Sequence, residues 1–272
     1  MRLLYDLITK GPTRKKRAGL FLLYTCTYNE YMEKLSQKEI VSTLQHGGIG
    51  VLPTDTLYGV VGSALSKKAV ARIYTMRNRD PKKPLIILIH SISDLALFDI
   101  VLTSKEKKTL AGIWPGKVSV ILPVCPSSRF VKEHSDLQQN AVQGGRRPSR
   151  KKRLATSSSP ARPQDESRLP CARKRFTYLH RGTNMLAFRV PADAKLRMLL
   201  KKTGPLVAPS ANREGTPPAR MIGDALRYFG EHVDFYSDGG KCGGKPSTLI
   251  AFENGVPVIK RIGAVRIKTI MI

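Results

Sequence analysis

Leu85-Ile86-Ile87-Leu88-Ile89 is an unbroken apolar run. A strand with one wet face would alternate polar and apolar residues; a continuous run marks a strand buried on both faces. Helical patterns precede it. Ser66 can cap a helix in which Val70, Ile73, Tyr74 and Arg77 share one stripe at spacings of three and four. Further back, Ser36-Gln37-Lys38-Glu39 is a capping-box pattern that opens a helix ended by Gly47-Gly48. Ile49–Leu52 follows as a short buried strand stopped by Pro53. On the other side of the run, Thr103-x-x-Glu106 caps another helix, and Val118–Leu122 and Met185–Val190 are strand candidates. Leu196–Leu200 is helical, Leu206–Ala208 is a strand, and Met221–Phe229 is helical again. Thr248–Phe252 and Val256–Arg261 flank Asn254-Gly255, a strong hairpin signal. Helices and strands alternate until that hairpin, which predicts an α/β fold with a mixed sheet.

The 272 residues, 41% of them hydrophobic, suffice for one large domain or two small ones. The net charge is +27. Residues 126–176 hold thirteen Lys/Arg against four Asp/Glu and show no hydrophobic periodicity, which predicts a disordered basic insertion in a domain running from 32 to 272. Residues 1–31 read as a poorly ordered N-terminal extension. The rest of the chain is still basic, which suits polyanionic partners such as nucleotides or nucleic acid, with plain solubility as the alternative. The four cysteines form no C-x-x-C pair and suggest reduced thiols in a cytoplasmic protein. No apolar run approaches the ~20 residues of a membrane helix.

Four polar segments sit beside strands or helix ends, where α/β sites form. Pro53-Thr54-Asp55-Thr56-Leu57-Tyr58-Gly59 offers hydroxyls and a carboxylate to a small polar ligand, or is simply a turn. Arg77-Asn78-Arg79-Asp80-Pro81-Lys82-Lys83-Pro84 has the cations of a phosphate clamp, or of a solvated basic loop. Pro209-Ser210-Ala211-Asn212 supplies neutral donors and acceptors. Pro246-Ser247-Thr248 lies across the hairpin from Lys260-Arg261, and Trp114-Pro115-Gly116-Lys117-Val118-Ser119 is a turn into a strand. No Walker, Rossmann, nucleophile-elbow or zincin motif occurs, and the five histidines are scattered, so a histidine-dependent mechanism is not expected.

Each segment alone is ambiguous, but their order is informative. Pro53–Gly59, Arg77-x-Arg79 with Lys83-Pro84-Leu85, Trp114-Pro115-Gly116, Phe188-Arg189-Val190-Pro191, Ser210-Ala211-Asn212-x-x-Gly215, Ser247-Thr248 and Arg261-x-Gly263 together resemble the YrdC family, the threonylcarbamoyl-AMP synthases. The resemblance covers residues 33–125 and 177–267. It implies a single twisted mixed sheet with flanking helices around a basic concave cavity. It implies a nucleotidyltransferase that makes threonylcarbamoyl-AMP and pyrophosphate from L-threonine, bicarbonate and ATP. The threonylcarbamoyl-transferase machinery would then deliver the group to tRNA. By the same resemblance, Arg77, Arg79 and Lys83 would hold the phosphates, and Thr56, Tyr58 and Arg189 would form the threonine pocket. Ser119, Ser210, Asn212, Ser247 and Arg261 would bind the nucleotide. Mg²⁺ is expected with ATP, without dedicated protein ligands.

The sequence departs from the family pattern in three places. Arg77 stands where Lys is usual, Leu88 stands where some longer members have His, and the 126–176 segment is foreign to the core pattern. The stop shortly after Gly263 suggests a short form without the longer members' extra C-terminal domain. An RNA-binding protein without catalysis, using the same cavity, is the alternative from another class. A carbamoyl-adenylate step for a different acceptor, as in hydrogenase maturation, is a third.

Overall fold

The computed structural model describes residues 35–124 and 175–266. The residue 1–31 extension and most of the predicted insertion lie outside the described residues. The elements in chain order are α1 (Gln37–Gln45), β1 (Ile49–Pro53), β2 (Tyr58–Ser63), α2 (Lys67–Arg77) and β3 (Ile86–Leu88). A 3₁₀ turn (Ile92–Phe98), α3 (Ser104–Ile113) and β4 (Val118–Pro123) follow. The second part contains α4 (Thr177–His180), β5 (Met185–Arg189), α5 (Ala194–Thr203), β6 (Leu206–Val207), α6 (Ile222–Phe229), β7 (Phe235–Tyr236), β8 (Thr248–Glu253) and β9 (Val256–Arg261).

The strands make one mixed sheet in the order β7-β1-β2-β6-β3-β5-β4-β8-β9. β3 pairs parallel with β5 and antiparallel with β6. Alternation along the strands divides the core. Ile49, Val51, Val60, Ile87 and Val207 face one cluster, formed with Val70 and Ile73 of α2 and Phe229 of α6. Leu52, Val61, Leu88 and Leu206 face a second cluster, formed with Leu44 of α1 and Leu196, Leu199 and Leu200 of α5. The continuous run at 85–89 therefore has its two dry faces, as its composition predicts.

On the β5-β4-β8 side of the sheet, one face joins the first cluster through Leu186, Phe188, Val120 and Ile250. The opposite residues, Met185, Ala187, Arg189, Ile121 and Leu249, line a cavity instead. α1 and α5 cover only the other half of that face, so the uncovered half becomes the floor of the site.

Local chemistry fixes the ends of these elements. Ser36 and Glu39 close a reciprocal capping box, as do Thr103 and Glu106, and Ser66 caps α2. Asn254 and Gly255 both take positive φ, 52° and 73°, the conformation a two-residue hairpin of type I′ needs.

Three features depart from the expectations. β2 was not foreseen as a strand, because Gly59 and Gly62 dilute its apolar signal. Gly62 has a packing reason: a Cβ there would come within 2.9 Å of Ile49 and 3.1 Å of Ile73. β7 is only two residues long and takes its register from β1, not from its own pattern. The predicted insertion also extends too far at its end. Phe176 is a buried core residue against Phe98, with ring centroids 5.0 Å apart, and Arg175 donates to the Leu97 carbonyl at 2.6 Å.

Candidate active site

The turn between β1 and β2 is built by Thr54. Its hydroxyl donates to the Leu57 carbonyl at 2.6 Å and accepts from the Thr56 and Leu57 amides at 3.3 Å each. That self-bonded turn presents Asp55 and Thr56 to Arg189 at the end of β5. Arg189 Nη1 donates to Thr56 Oγ1 at 3.1 Å, and its Nη2 stands 3.2 Å from Asp55 Oδ1. Both charged side chains are about 95% buried, at 4% and 5% exposure. The pair is in ionic contact without hydrogen-bond alignment at Asp55 Oδ1, and Arg189 Nε has no partner. Burial pushes the Arg189 guanidinium below its usual range, Asp55 opposes this, and Arg261 adds to it.

At the other end, Arg77 is the last residue of α2, terminated by Asn78 in the left-handed conformation at φ 49°. Arg77 is 2% exposed. Its Nε donates to the Asn212 carbonyl at 2.8 Å and its Nη2 to Asn212 Oδ1 at 3.1 Å; Ser210 Oγ donates to the same Oδ1 at 2.7 Å. Arg77 Nη1 is buried without a partner. Burial, and then the Arg79 charge, push this guanidinium down to about 10. Arg79 folds onto its own loop through the Lys83 and Pro84 carbonyls at 3.2 and 3.1 Å. Arg261 donates to the Ser247 carbonyl at 2.9 Å and is likewise pushed down by burial and by Arg79.

Three guanidiniums therefore repel one another through Arg79. Glu214, which faces this loop, is already committed to Lys83 Nζ at 2.5 Å and to the Asp80 amide at 2.6 Å. Those bonds hold Glu214 below the usual carboxylate range. Glu214 offsets part of the Arg77 charge, but none of the hydrogen bonds of Arg77, Arg79 or Arg261 goes to a carboxylate.

These groups line one cavity of about 460 Å³. The loops that shape it are tied together by backbone bonds: Val60 N donates to the Pro209 carbonyl at 2.9 Å and Ala211 N to the Tyr58 carbonyl at 2.8 Å. The buried Tyr58 hydroxyl lies 2.7 Å from the Gly240 carbonyl and 3.0 Å from Asp238 Oδ1, and accepts from the Gly239 amide at 3.0 Å. Burial raises its phenol well above the ordinary value, so it stays protonated as a clamp. Gly244 permits the same segment to lie on the turn: a Cβ there would stand 2.2 Å from the Thr56 carbonyl.

Of the sequence-predicted site residues, Thr56, Tyr58, Arg77, Arg79, Arg189, Ser210, Ser247 and Arg261 line the cavity. Ser119 does not; it is fully buried behind Ser247, with the two hydroxyls 2.8 Å apart. Asn212 stands behind Arg77, and Lys83 lies outside the lining with its side chain 56% exposed. Sequence reasoning gave no role to Asp55 as the Arg189 partner or to Glu214 as the Lys83 partner. Both stand inside the singled-out segments, but their partners are 134 and 131 positions away.

Among the described residues no histidine lines the cavity. Buried His180 accepts from the Gly182 amide at 3.1 Å, a structural task. Among the described residues no group of three His, Cys, Asp or Glu could hold a metal ion, and no helix is long and apolar enough to cross a membrane.

A family model for Sua5, YciO and YrdC, described as telomere recombination, matches residues 42–150 and 167–263. The chain belongs to this family. It is 28% identical over 221 residues to the threonylcarbamoyl-AMP synthase of Chromohalobacter salexigens, covering 80% of this chain and 92% of that protein. It is 25% identical over 229 residues to the enzyme of that name from Bacillus subtilis, covering 84% of this chain but 53% of the relative. Sua5 of Pyrococcus abyssi, crystallised with L-threonine, superposes with a TM-score of 0.61 at 23% identity, over 85% of this chain and 56% of that one. The chain thus spans little more than half the length of the last two proteins, and the structural likeness speaks for the fold.

Proposed function

We propose that the chain is an L-threonylcarbamoyladenylate synthase acting for threonylcarbamoyladenosine modification of tRNA. One observation carries this reading: Arg77, Arg79 and Arg261 line the cavity with no carboxylate among their hydrogen bonds, and the same cavity holds Arg189, paired with Asp55 beside Thr56. The names of the relatives support it. In the proposed reaction the threonine amine takes up bicarbonate, losing water, to give a carbamate. A carbamate oxygen attacks the α-phosphorus of ATP, the bond to the bridging oxygen breaks, and pyrophosphate leaves. Such a displacement asks for positioning and charge neutralisation, not for a nucleophilic side chain.

Arg79 and Arg261 contact the phosphates, and Arg77 contributes its free Nη1 while holding Asn212 and Ser210 in place. Thr56 and Arg189 orient threonine. Ser119 fixes the rotamer of Ser247 on the nucleotide side. Asp55 is paired with Arg189 and Glu214 with Lys83, so Mg²⁺ enters as part of the nucleotide substrate, carried on its phosphates. The chain and its product fit a cytoplasmic enzyme serving the tRNA transferase machinery.

The test is pyrophosphate release from ATP and bicarbonate, with the product weighed by mass spectrometry. Release that requires threonine, with a product of threonylcarbamoyl-AMP mass, is the expected result. Release without threonine, or none from the folded chain, sinks the proposal, and none together with tight RNA binding favours the non-catalytic alternative.

A further inference from the structure

Thr248 and Gly263 belong to the segments singled out in the sequence, yet neither lines the cavity. They meet each other instead, where the chain leaving β9 doubles back over the start of β8. Thr248 is fully buried. Its hydroxyl donates to the Val265 carbonyl at 2.7 Å and accepts from the Gly263 and Val265 amides at 3.0 and 3.2 Å. A hydroxyl has one proton to give and two lone pairs, and all three are used here, so nothing is left for a ligand. Beside it the Ala264 amide donates to the Pro246 carbonyl at 2.8 Å. Gly263 lies flat on the same loop: a Cβ there would stand 2.2 Å from the Pro246 carbonyl oxygen and 2.6 Å from that of Ser247. Both are backbone atoms, which cannot swing aside as the end of a side chain does.

What this seat holds is Arg261. Among the described residues β9 pairs with β8 alone. Leu249 faces Arg261 while Ile250 faces Ile259, so Lys260 is an extra residue on β9 just before Arg261. Such an irregularity interrupts the ladder, which then holds the end of the strand less firmly. Ile262 is 75% exposed and adds little packing. The firm tie therefore comes from residues 263–265, beginning two positions after Arg261. The guanidinium placed in this way donates to the Ser247 carbonyl at 2.9 Å, and Arg261, Ser247 and Pro246 all line the cavity.

We propose that Thr248 and Gly263 are positioning residues: they seat the 263–265 segment so that Arg261 presents its guanidinium to the cavity. The inference rests on the reading of Arg261 as a phosphate contact. The Thr248 hydroxyl sets where the segment lies, through two amides and a carbonyl, and the missing side chain at Gly263 sets how closely it approaches. Losing either one shifts Arg261 against Ser247, and a misplacement of about 1 Å is enough to lose most of such a contact.

The test reads MgATP affinity of the full chain by calorimetry and the threonine KM by pyrophosphate release. Thr248→Val removes the hydroxyl and keeps the shape, and Gly263→Ala adds the clashing Cβ. Each should weaken MgATP binding about tenfold, the scale of one charge-assisted contact, and change the threonine KM at saturating MgATP by less than about twofold. Thr248→Ser keeps the hydroxyl and should bind MgATP as the parent does. In an Arg261→Ala chain, itself weakened about tenfold or more, adding Thr248→Val should cost less than about twofold again, because the contact it serves is already gone. Parent-like affinity in folded Thr248→Val and Gly263→Ala, beside a weakened Arg261→Ala, overturns the inference and leaves the proposed function standing. So does an equal loss in Thr248→Ser and Thr248→Val, which would mean packing and not the hydroxyl. The expected pattern of affinities in a chain that releases no pyrophosphate would support the inference while ending the proposed function. A parent that binds no MgATP overturns both.

Discussion

The two ends of the cavity solve opposite electrostatic problems. At the β1–β2 turn, Arg189 is buried but matched: Asp55 is 3.2 Å away and Thr56 accepts a hydrogen bond. At the end of α2, Arg77 is at least as buried, yet its hydrogen bonds go to neutral oxygens, the Arg79 cation opposes its charge, and Glu214 offsets that only in part. At the matched end burial still weighs against the guanidinium, but Asp55 offsets part of that cost and brings the net charge near zero, so the pair can serve as a fixed frame. The unmatched end keeps repulsion that Glu214 offsets only in part and that an incoming anion would relieve further. A zwitterionic amino acid suits the first end and a polyphosphate the second, which is the division of labour the proposed reaction requires.

The comparison is sharpened most by breaking the matched pair. Asp55→Ala leaves Arg189 buried without its carboxylate, and losing one partner of a buried pair costs about 3–5 kcal/mol. Urea unfolding of that variant should show such a loss, and Asp55→Leu/Arg189→Met should recover most of it. A loss under about 1 kcal/mol for Asp55→Ala would mean the pair is solvated after all.

The unmatched end should answer in activity instead. Arg79→Ala removes a cation whose hydrogen bonds go only to its own loop, so stability should change within about 0.5 kcal/mol. Adenylate synthesis should fall about 10²-fold or more, the scale of one transition-state charge contact. Near-normal turnover by the folded variant would remove Arg79 from the phosphate clamp. A smaller effect is expected from the substrate side: 2-aminobutyrate, which lacks the threonine hydroxyl, should be used about tenfold or more less efficiently, since a polar group near Thr56 loses its partner. Equal kcat/KM for the two amino acids would place the hydroxyl outside the pocket's contacts.

Much of this arrangement was legible from local sequence, because local chemistry fixes it. The run at 85–89 announces two dry faces, the two capping boxes fix their helix starts, and Asn254-Gly255 fixes the hairpin. Most proposed site residues were readable as strand-end segments and, through their order, as one family's pattern. What was not legible is set by partners far away in the chain. Gly59 and Gly62 weaken the β2 signal, though Gly62 is there to let Ile49 and Ile73 close in. Phe176 looks like the tail of a basic tract until Phe98, itself packed on Phe188, is seen against it. Ser119 and Asn212 look like ligand contacts, but each stands behind the residue that lines the cavity. Asp55 and Glu214 look like turn decoration, and only the fold sets them against Arg189 and Lys83.

Glu214 gives the subtlest test of the contrast, because it is the nearest thing to a counter-charge at the unmatched end. Lys83 Nζ and the Asp80 amide both bond its carboxylate, joining the 79–83 loop to the segment after Asn212. These bonds hold its folded-state pKa below the ordinary glutamate value. A depressed acid contributes stability that is fully present above the unfolded-state pKa, near 4.3, and that is lost as pH falls through the lower folded-state value. The carboxylate is partly exposed, so screening makes the effect small, below each of the three above. Melting temperatures of the parent and of Glu214→Gln should therefore differ slightly at pH 7 and converge below about pH 4. Raised salt should narrow the neutral-pH gap. A gap that persists unchanged into acid would mean Glu214 acts by packing and not as a counter-charge to the 79–83 loop.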